Sequence, residues 1–301
     1  MKLSIIVPIY NESQCIEAFY KRISSTLNNF DYEIIFINDG SNDNSLFLLQ
    51  QYSSEDKKVK IIDLSRNFGK EIAMTAGSDN AKGDAVIFID ADLQDPPEVI
   101  LDLIKKWNEG YDVVYAKRKS RKGETFLKKF SAFLFYRLIN LMSKTNIPKD
   151  VGDFRLISKE VNDSLKEIRE RNRFMKGIFS WIGYKQTGIE YVRDPRYKGI
   201  SKFNYLQLIN FAIEGITSFS RFPLQLITFL GFLSTIISLM FIVAIIAKGY
   251  NYNSIQMIIP ITTFIGSLQF LAIGTIGEYL GRLSIESKNR PIYIIKKTIG
   301  L

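Results

Sequence analysis

The 301-residue chain has no histidine and a single cysteine, Cys15. The first absence removes the His general base, the serine–histidine triad and His-ligated zinc. The second excludes an internal disulfide and any cysteine-built metal cluster, so Cys15 reads as a small packed residue near a helix start. Chemistry is left to carboxylates, to Arg and Lys, and to a hard cation. No Gly-x-Gly-x-x-Gly follows the first apolar strand, which argues against a nicotinamide dehydrogenase. Met1 to Ile9 is too short, with Pro8 near its end, for a signal core and is expected to be a buried strand.

Charge is missing from one region. Lys248 is the only charged residue between Leu224 and Gly277, although 24% of the whole chain is charged and the net charge is +9. Leu224–Ala247 and Ile255–Gly277 are each long enough, as helices, to cross a hydrocarbon core of roughly 30 Å. Two transmembrane helices at 224–247 and 255–277 are therefore expected, joined by a polar turn with Tyr250 and Tyr252; the competing reading is a buried helical hairpin. Arg221, Arg282, Lys288, Arg290, Lys296 and Lys297 flank the other side, which predicts a multi-pass membrane protein with its large domain and both termini cytoplasmic. Pro260, Gly231, Gly266 and Gly274 permit kinks and close helix packing, and a homo-oligomer fits such spans. Residues 203–223 read as an interfacial helix. Phe126–Met142 reads either as a second amphipathic segment or as a core-facing helix.

The first hundred residues alternate continuous apolar strands with helices: strands at 3–9, 32–37, 59–64, 85–89 and 112–116, helices at 15–30, 43–52, 70–81 and 97–109. That pattern predicts an α/β domain with a mostly parallel, doubly covered sheet over 1–202. Ligands of such sheets bind at the carboxyl ends of the strands. Polar clusters stand just there: Pro8 to Glu12, Asn38 to Ser41, and Asp90 to Pro97. Any one could be turn chemistry; three at equivalent places point to one crevice. Asp90 and Asp92, one residue apart after an apolar strand, can reach one cation. Oxygen ligands alone suit Mg²⁺ or Mn²⁺, with Gln94 as a neutral third donor.

Pro8-x-Tyr10-Asn11-Glu12, Asp39-Gly40-Ser41 and Asp90-Ala91-Asp92-Leu93-Gln94-Asp95-Pro96-Pro97 resemble family 2 of the inverting glycosyltransferases, which has the GT-A fold. The match is strongest to the polyprenyl-phosphate branch, which includes dolichyl-phosphate mannose synthases and the bactoprenol glucosyltransferases with two C-terminal membrane spans. Arg118-x-x-Arg121-x-Gly123-Glu124, Gly152-Asp153-Phe154-Arg155-Leu156, Arg196-Tyr-Lys198-Gly-Ile-Ser201-Lys202 and Gly277-Glu278-Tyr279-Leu280-Gly281-Arg282 extend the resemblance over essentially the whole chain. One departure is Asn38, where the family usually has a first Asp; it keeps an acceptor oxygen and loses the charge.

The resemblance implies transfer of one sugar from a nucleotide-sugar to a polyprenyl phosphate, with UDP-glucose as first choice of donor; UDP-GlcNAc, UDP-galactose and GDP-mannose remain open. It implies that Pro8, Tyr10, Asn11, Glu12, Asp39, Ser41, Asp90 and Asp95 bind the nucleotide-sugar. Asp90, Asp92 and Gln94 place Mg²⁺ or Mn²⁺ on its diphosphate, and Asp92, Asp153 and Arg118 are catalytic. Asp153 resembles the family's base, or else orients Arg155 or the sugar. Arg118, Arg121, Arg155, Arg196, Ser201 and Lys202 take phosphate, with Lys117, Lys119, Lys122, Lys128 and Lys129 toward anionic headgroups. Residues 278–301 form a cytoplasmic tail. A membrane-tethered binding protein without chemistry is disfavoured by the presence of both Asp90 and Asp92. A processive polysaccharide synthase is disfavoured by the lack of a Gln-x-x-Arg-Trp motif. A nucleic-acid binder explains the charge but not the acidic cluster.

Overall fold

The computed structural model describes residues 1–119, 148, 151–171, 173–195, 197–198, 222–248 and 255–301. Arg121, Lys122, Lys128, Lys129, Arg196, Ser201, Lys202, the segment Phe126–Met142 and the turn with Tyr250 and Tyr252 lie outside the described residues. So does the expected interfacial helix, except its last two residues.

The elements run in chain order β1 (Lys2–Ile9), α1 (Ser13–Thr26), β2 (Asp31–Asn38), α2 (Ser45–Glu55), β3 (Val59–Leu64), α3 (Lys70–Asn80), β4 (Ala85–Phe88), α4 (Val99–Asn108) and β5 (Val113–Arg118). Then come β6 (Val151–Ser158), α5 (Lys159–Glu167), α6 (Met175–Trp181), β7 (Gln186–Tyr191), α7 (Phe222–Lys248), α8 (Ile255–Ser287) and β8 (Ile295–Ile299).

The strands are apolar throughout because the sheet is covered on both faces. Leu3, Ile5, Val7 and Ile9 of β1 join Ile34 and Phe36 of β2 in one core layer, against Ile16, Phe19 and Ile23 of α1 and Ile100, Leu103 and Ile104 of α4. The alternate residues Ile6, Ile35 and Ile37 face the other layer, with Ala73 and Ala76 of α3 and Met175, Ile178 and Phe179 of α6. Successive side chains of a strand point to opposite faces, so both sets are buried. The approach of α3 is close: a Cβ on Gly77 would lie 2.5 Å from Ile6 Cγ2 and 2.8 Å from Ile37 Cδ1.

The strand order is β7-β5-β6-β4-β1-β2-β3-β8. The block β4-β1-β2-β3 is parallel, as the alternation predicted. The sheet as a whole is mixed. β6 pairs antiparallel with both β4 and β5, and β8 pairs antiparallel with β3. The inversion of β6 brings its first residues, Val151 to Asp153, to the edge where β1, β2, β4 and β5 end. The C-terminal segment is more than a tail: it finishes α8 and adds the edge strand β8.

The expectation of two membrane spans is overturned, and with it the multi-pass membrane localisation. Among the described residues no helix is long and apolar enough to cross a membrane. A span needs about 20 consecutive, predominantly apolar residues. In α8 the continuous described run 264–287 is interrupted by Gln269, Glu278, Arg282 and Glu286. Both helices expose large apolar side chains, among them Phe229, Phe232, Phe264 and Phe270.

Candidate active site

The crevice begins with two loops tied to each other. The Asn11 N–H donates to Ser41 Oγ at 3.0 Å, and the Asn42 N–H donates back to Asn11 Oδ1 at 2.8 Å. The Glu12 N–H donates to Ser45 Oγ at 3.0 Å. Asn11 itself has φ 51, a left-handed conformation that Asn tolerates better than most residues. The loops after β1 and β2 therefore form one rigid wall that carries Tyr10, Asn11, Glu12 and Ser41, with the half-buried Pro8 at the end of β1.

Asp39 lies beneath that wall and is buried. Its two oxygens accept the backbone N–H groups of Phe68 at 2.7 Å and Gly69 at 2.9 Å, at the entry to α3. Burial pushes its carboxyl above the usual range against these two hydrogen bonds and the charge of Arg66. Gly40 has φ 65, and a Cβ there would lie 2.5 Å from the backbone of Arg66 and Asn67. Asn38, where the motif departs from its family, donates to Asp63 Oδ1 at 2.7 Å. The amide joins β2 to β3, which a carboxylate facing Asp63 would repel.

After β4 the chain makes a strained turn. Leu93, between Asp92 and Gln94, has φ 60, held in place by its buried side chain; such strain persists where the surroundings over-determine it. The Gln94 N–H donates to Asp92 Oδ1 at 3.1 Å. Asp95 is buried. It accepts the Tyr191 hydroxyl and pairs with Arg193 at 3.5 Å, which fastens this turn to the end of β7.

Lys70 stands at the centre. Its Nζ lies 2.7 Å from Asp90 and 2.6 Å from Asp153. Burial opposes its charge, but the two carboxylates outweigh burial and raise its pKa. Asp153 is held well below the usual carboxylate range: burial pushes it up, and Lys70, Lys176 and Arg155 overcome that. Glu71 goes the other way. Burial first, then the nearby Asp153 charge, push it up to about 8. Glu71 Oε2 and Asp153 Oδ1 are both buried with no hydrogen-bond partner among the described residues.

Arg118, at the end of β5, faces Asp95, Tyr191 and Asp153. A Cβ on Gly152 would lie 3.1 Å from its Nη2, so the glycine leaves room for the guanidinium. Arg155 is 3% exposed. It donates to Gly152 O at 2.9 Å and stacks 3.9 Å from the Phe179 ring centroid. Among the described residues no group of three or more His, Cys, Asp or Glu is arranged to hold a metal ion.

The geometry thus brings Asp90, Asp153 and Arg118 together, with Asp92 and Asp95 in the adjoining turn. It adds Lys70, Glu71, Lys176 and Tyr191, which the sequence reading did not single out. One signal for Lys70 was available: a lysine opening a helix sits where the macrodipole favours anions, so its place needs another reason.

The model of the family Glycosyl transferase family 2 matches residues 4–166, which includes the wall, the strained turn and Asp153. The bactoprenol glucosyl transferase of Shigella phage SfII is 46% identical over 99% of this chain and 98% of its own length. An uncharacterized glycosyltransferase of Synechocystis sp., sll0501, is 46% identical over 100% of this chain and 96% of its own. The putative glycosyltransferase CsbB of Bacillus subtilis is 39% identical over 98% and 91%. With a family model over more than half of its residues and such relatives over nearly all of them, this chain belongs to glycosyl transferase family 2.

Proposed function

We propose that the protein transfers one glucose from UDP-glucose to the phosphate of a polyprenyl phosphate such as undecaprenyl phosphate, with inversion at the anomeric carbon. The observation that carries this reading is the meeting of Asp90, Lys70, Asp153 and Arg118 at one sheet edge, beside the wall made by the first two loops. A site for two phosphate-bearing substrates needs both signs of charge close together. The similarity to a bactoprenol glucosyl transferase over almost the whole chain supports the choice of sugar and acceptor.

In this reading Pro8, Tyr10, Asn11, Glu12, Ser41 and Asp39 hold the nucleoside. Asp90 and Asp92, with Gln94, hold Mg²⁺ or Mn²⁺. The donor set fits: Mg²⁺ is commonly bound through one or two carboxylates and completed by substrate phosphates and water, so two carboxylates suffice. When bound, such an ion neutralises charge on the leaving nucleoside diphosphate. Arg118 offers a guanidinium fork to a phosphate, and Arg121, Arg196, Ser201 and Lys202 complete the acceptor side.

Asp153 acts as a fixed charge. A carboxylate held so far below its usual range is a poor proton acceptor. None is required, because a lipid phosphate oxygen is already anionic near neutral pH. Asp153 keeps Lys70 and Arg118 oriented, and Arg118 steers the oxyanion.

The test incubates the purified full chain with Mg²⁺, undecaprenyl phosphate in detergent and a panel of labelled donors: UDP-glucose, UDP-GlcNAc, UDP-galactose and GDP-mannose. Label is followed into the organic phase. Transfer from UDP-glucose above the rest is expected. Preference for another donor overturns the choice of sugar, and transfer from none overturns the acceptor.

A further inference from the structure

Lys70 is the first residue of α3, and its ammonium spans two carboxylates from different strands. Asp90 follows β4, and Asp153 lies at the start of β6. The two contacts are not equivalent. Asp153 is 15% exposed, against 30% for Asp90. The less screened pair is the stronger. An ammonium has three donors and no fixed fork, so it can give up one partner while keeping the other. Asp90 is also a carboxylate that a divalent cation would use, and one carboxylate cannot serve both cations fully.

We propose that Lys70 is a positioning residue that clamps Asp90 to Asp153 in the metal-free enzyme, yields Asp90 when a divalent cation binds, and stays on Asp153. The clamp keeps two carboxylates from repelling each other while no cation is present. Its release makes filling of the donor side reset the charge next to Asp153. This rests on the reading of Asp90 and Asp92 as metal ligands given above.

The experiment measures Mn²⁺ binding to the full chain by the electron paramagnetic resonance signal of free Mn²⁺, with UDP present and no acceptor, so that no turnover is read. Lys70→Met should bind Mn²⁺ about tenfold more tightly than the unaltered protein, because a competing positive charge a few ångströms away is gone. A merely structural lysine predicts the opposite, since a disordered site binds metal more weakly. Lys70→Arg, which keeps the charge, should bind no more tightly than the unaltered protein. Equal or weaker binding by Lys70→Met overturns the clamp while leaving the metal reading intact. No Mn²⁺ binding by the unaltered protein, with UDP present, overturns both.

Discussion

Lys60 on β3 places its ammonium 2.6 Å from the Glu33 carboxylate on β2, inside the sheet rather than at its edge. Glu33 is almost fully buried and also accepts the Ser4 hydroxyl at 2.6 Å and the Lys82 N–H at 3.0 Å. Burial pushes its pKa up, and these partners together with Lys2 bring it down from 4.5 to about 2. A lowered carboxylate stabilises the fold above its unfolded pKa, and this is lost as pH falls through the folded value. The protein should therefore lose about 3 kcal/mol from this group between pH ~4.5 and pH ~2. Urea denaturation in pH steps checks it: Glu33→Gln should be less stable at pH 7 and nearly equal to the unaltered protein near pH 2.

Glu71 predicts the opposite slope. Its folded pKa of about 8 lies above the ordinary 4.5, so the folded state keeps a proton that the unfolded chain releases. Its contribution is present at low pH and lost as pH rises from 4.5 toward 8. Glu71→Gln, which imitates the protonated form, should flatten the decline in stability over that interval. Melting temperatures from pH 5 to 9 decide it; parallel curves for the two proteins would refute the assignment.

Gly40→Ala should destabilise the protein by about 2 kcal/mol or more, because a side chain at φ 65 is strained and its Cβ meets backbone that cannot move aside. The displaced loop carries Ser41, so UDP affinity should fall with stability. Calorimetric titration with UDP, below the lowered melting temperature, measures the second effect.

Asp92→Ala should abolish sugar transfer while the protein remains folded, since the hydrogen bond that Asp92 Oδ1 accepts from the Gln94 N–H is local to one turn. Circular dichroism and the organic-phase assay together test it. Near-normal turnover in a folded variant would remove the metal role of Asp92.

Arg118→Ala should raise KM for the lipid acceptor at least tenfold, a charge-assisted phosphate contact being worth about 1.5–3 kcal/mol, with little change in KM for the donor. Equal effects on both substrates would reject Arg118 as the acceptor-side cation.

The sequence by itself determined the parallel block β4-β1-β2-β3, the three polar clusters at its strand ends and the Asp90–Asp92 pair. These are local signals: continuous apolar runs of strand length, turn residues behind them, and helical spacing between. Only the tertiary structure decided the rest. Insertion of β6 between β4 and β5 in the opposite sense, which brings Asp153 to the crevice, depends on pairing between distant segments and leaves no periodic trace. The same holds for β8, read from sequence as a tail, and for Lys70, whose partner Asp153 lies 83 residues away. Long uncharged runs at 224–247 and 255–277 suggested spans, yet the described parts of their helices do not meet the requirement for crossing a bilayer. Hydrophobic pattern reports which faces seek cover; the chain's long-range pairing decides what covers them and which charges are left facing one another.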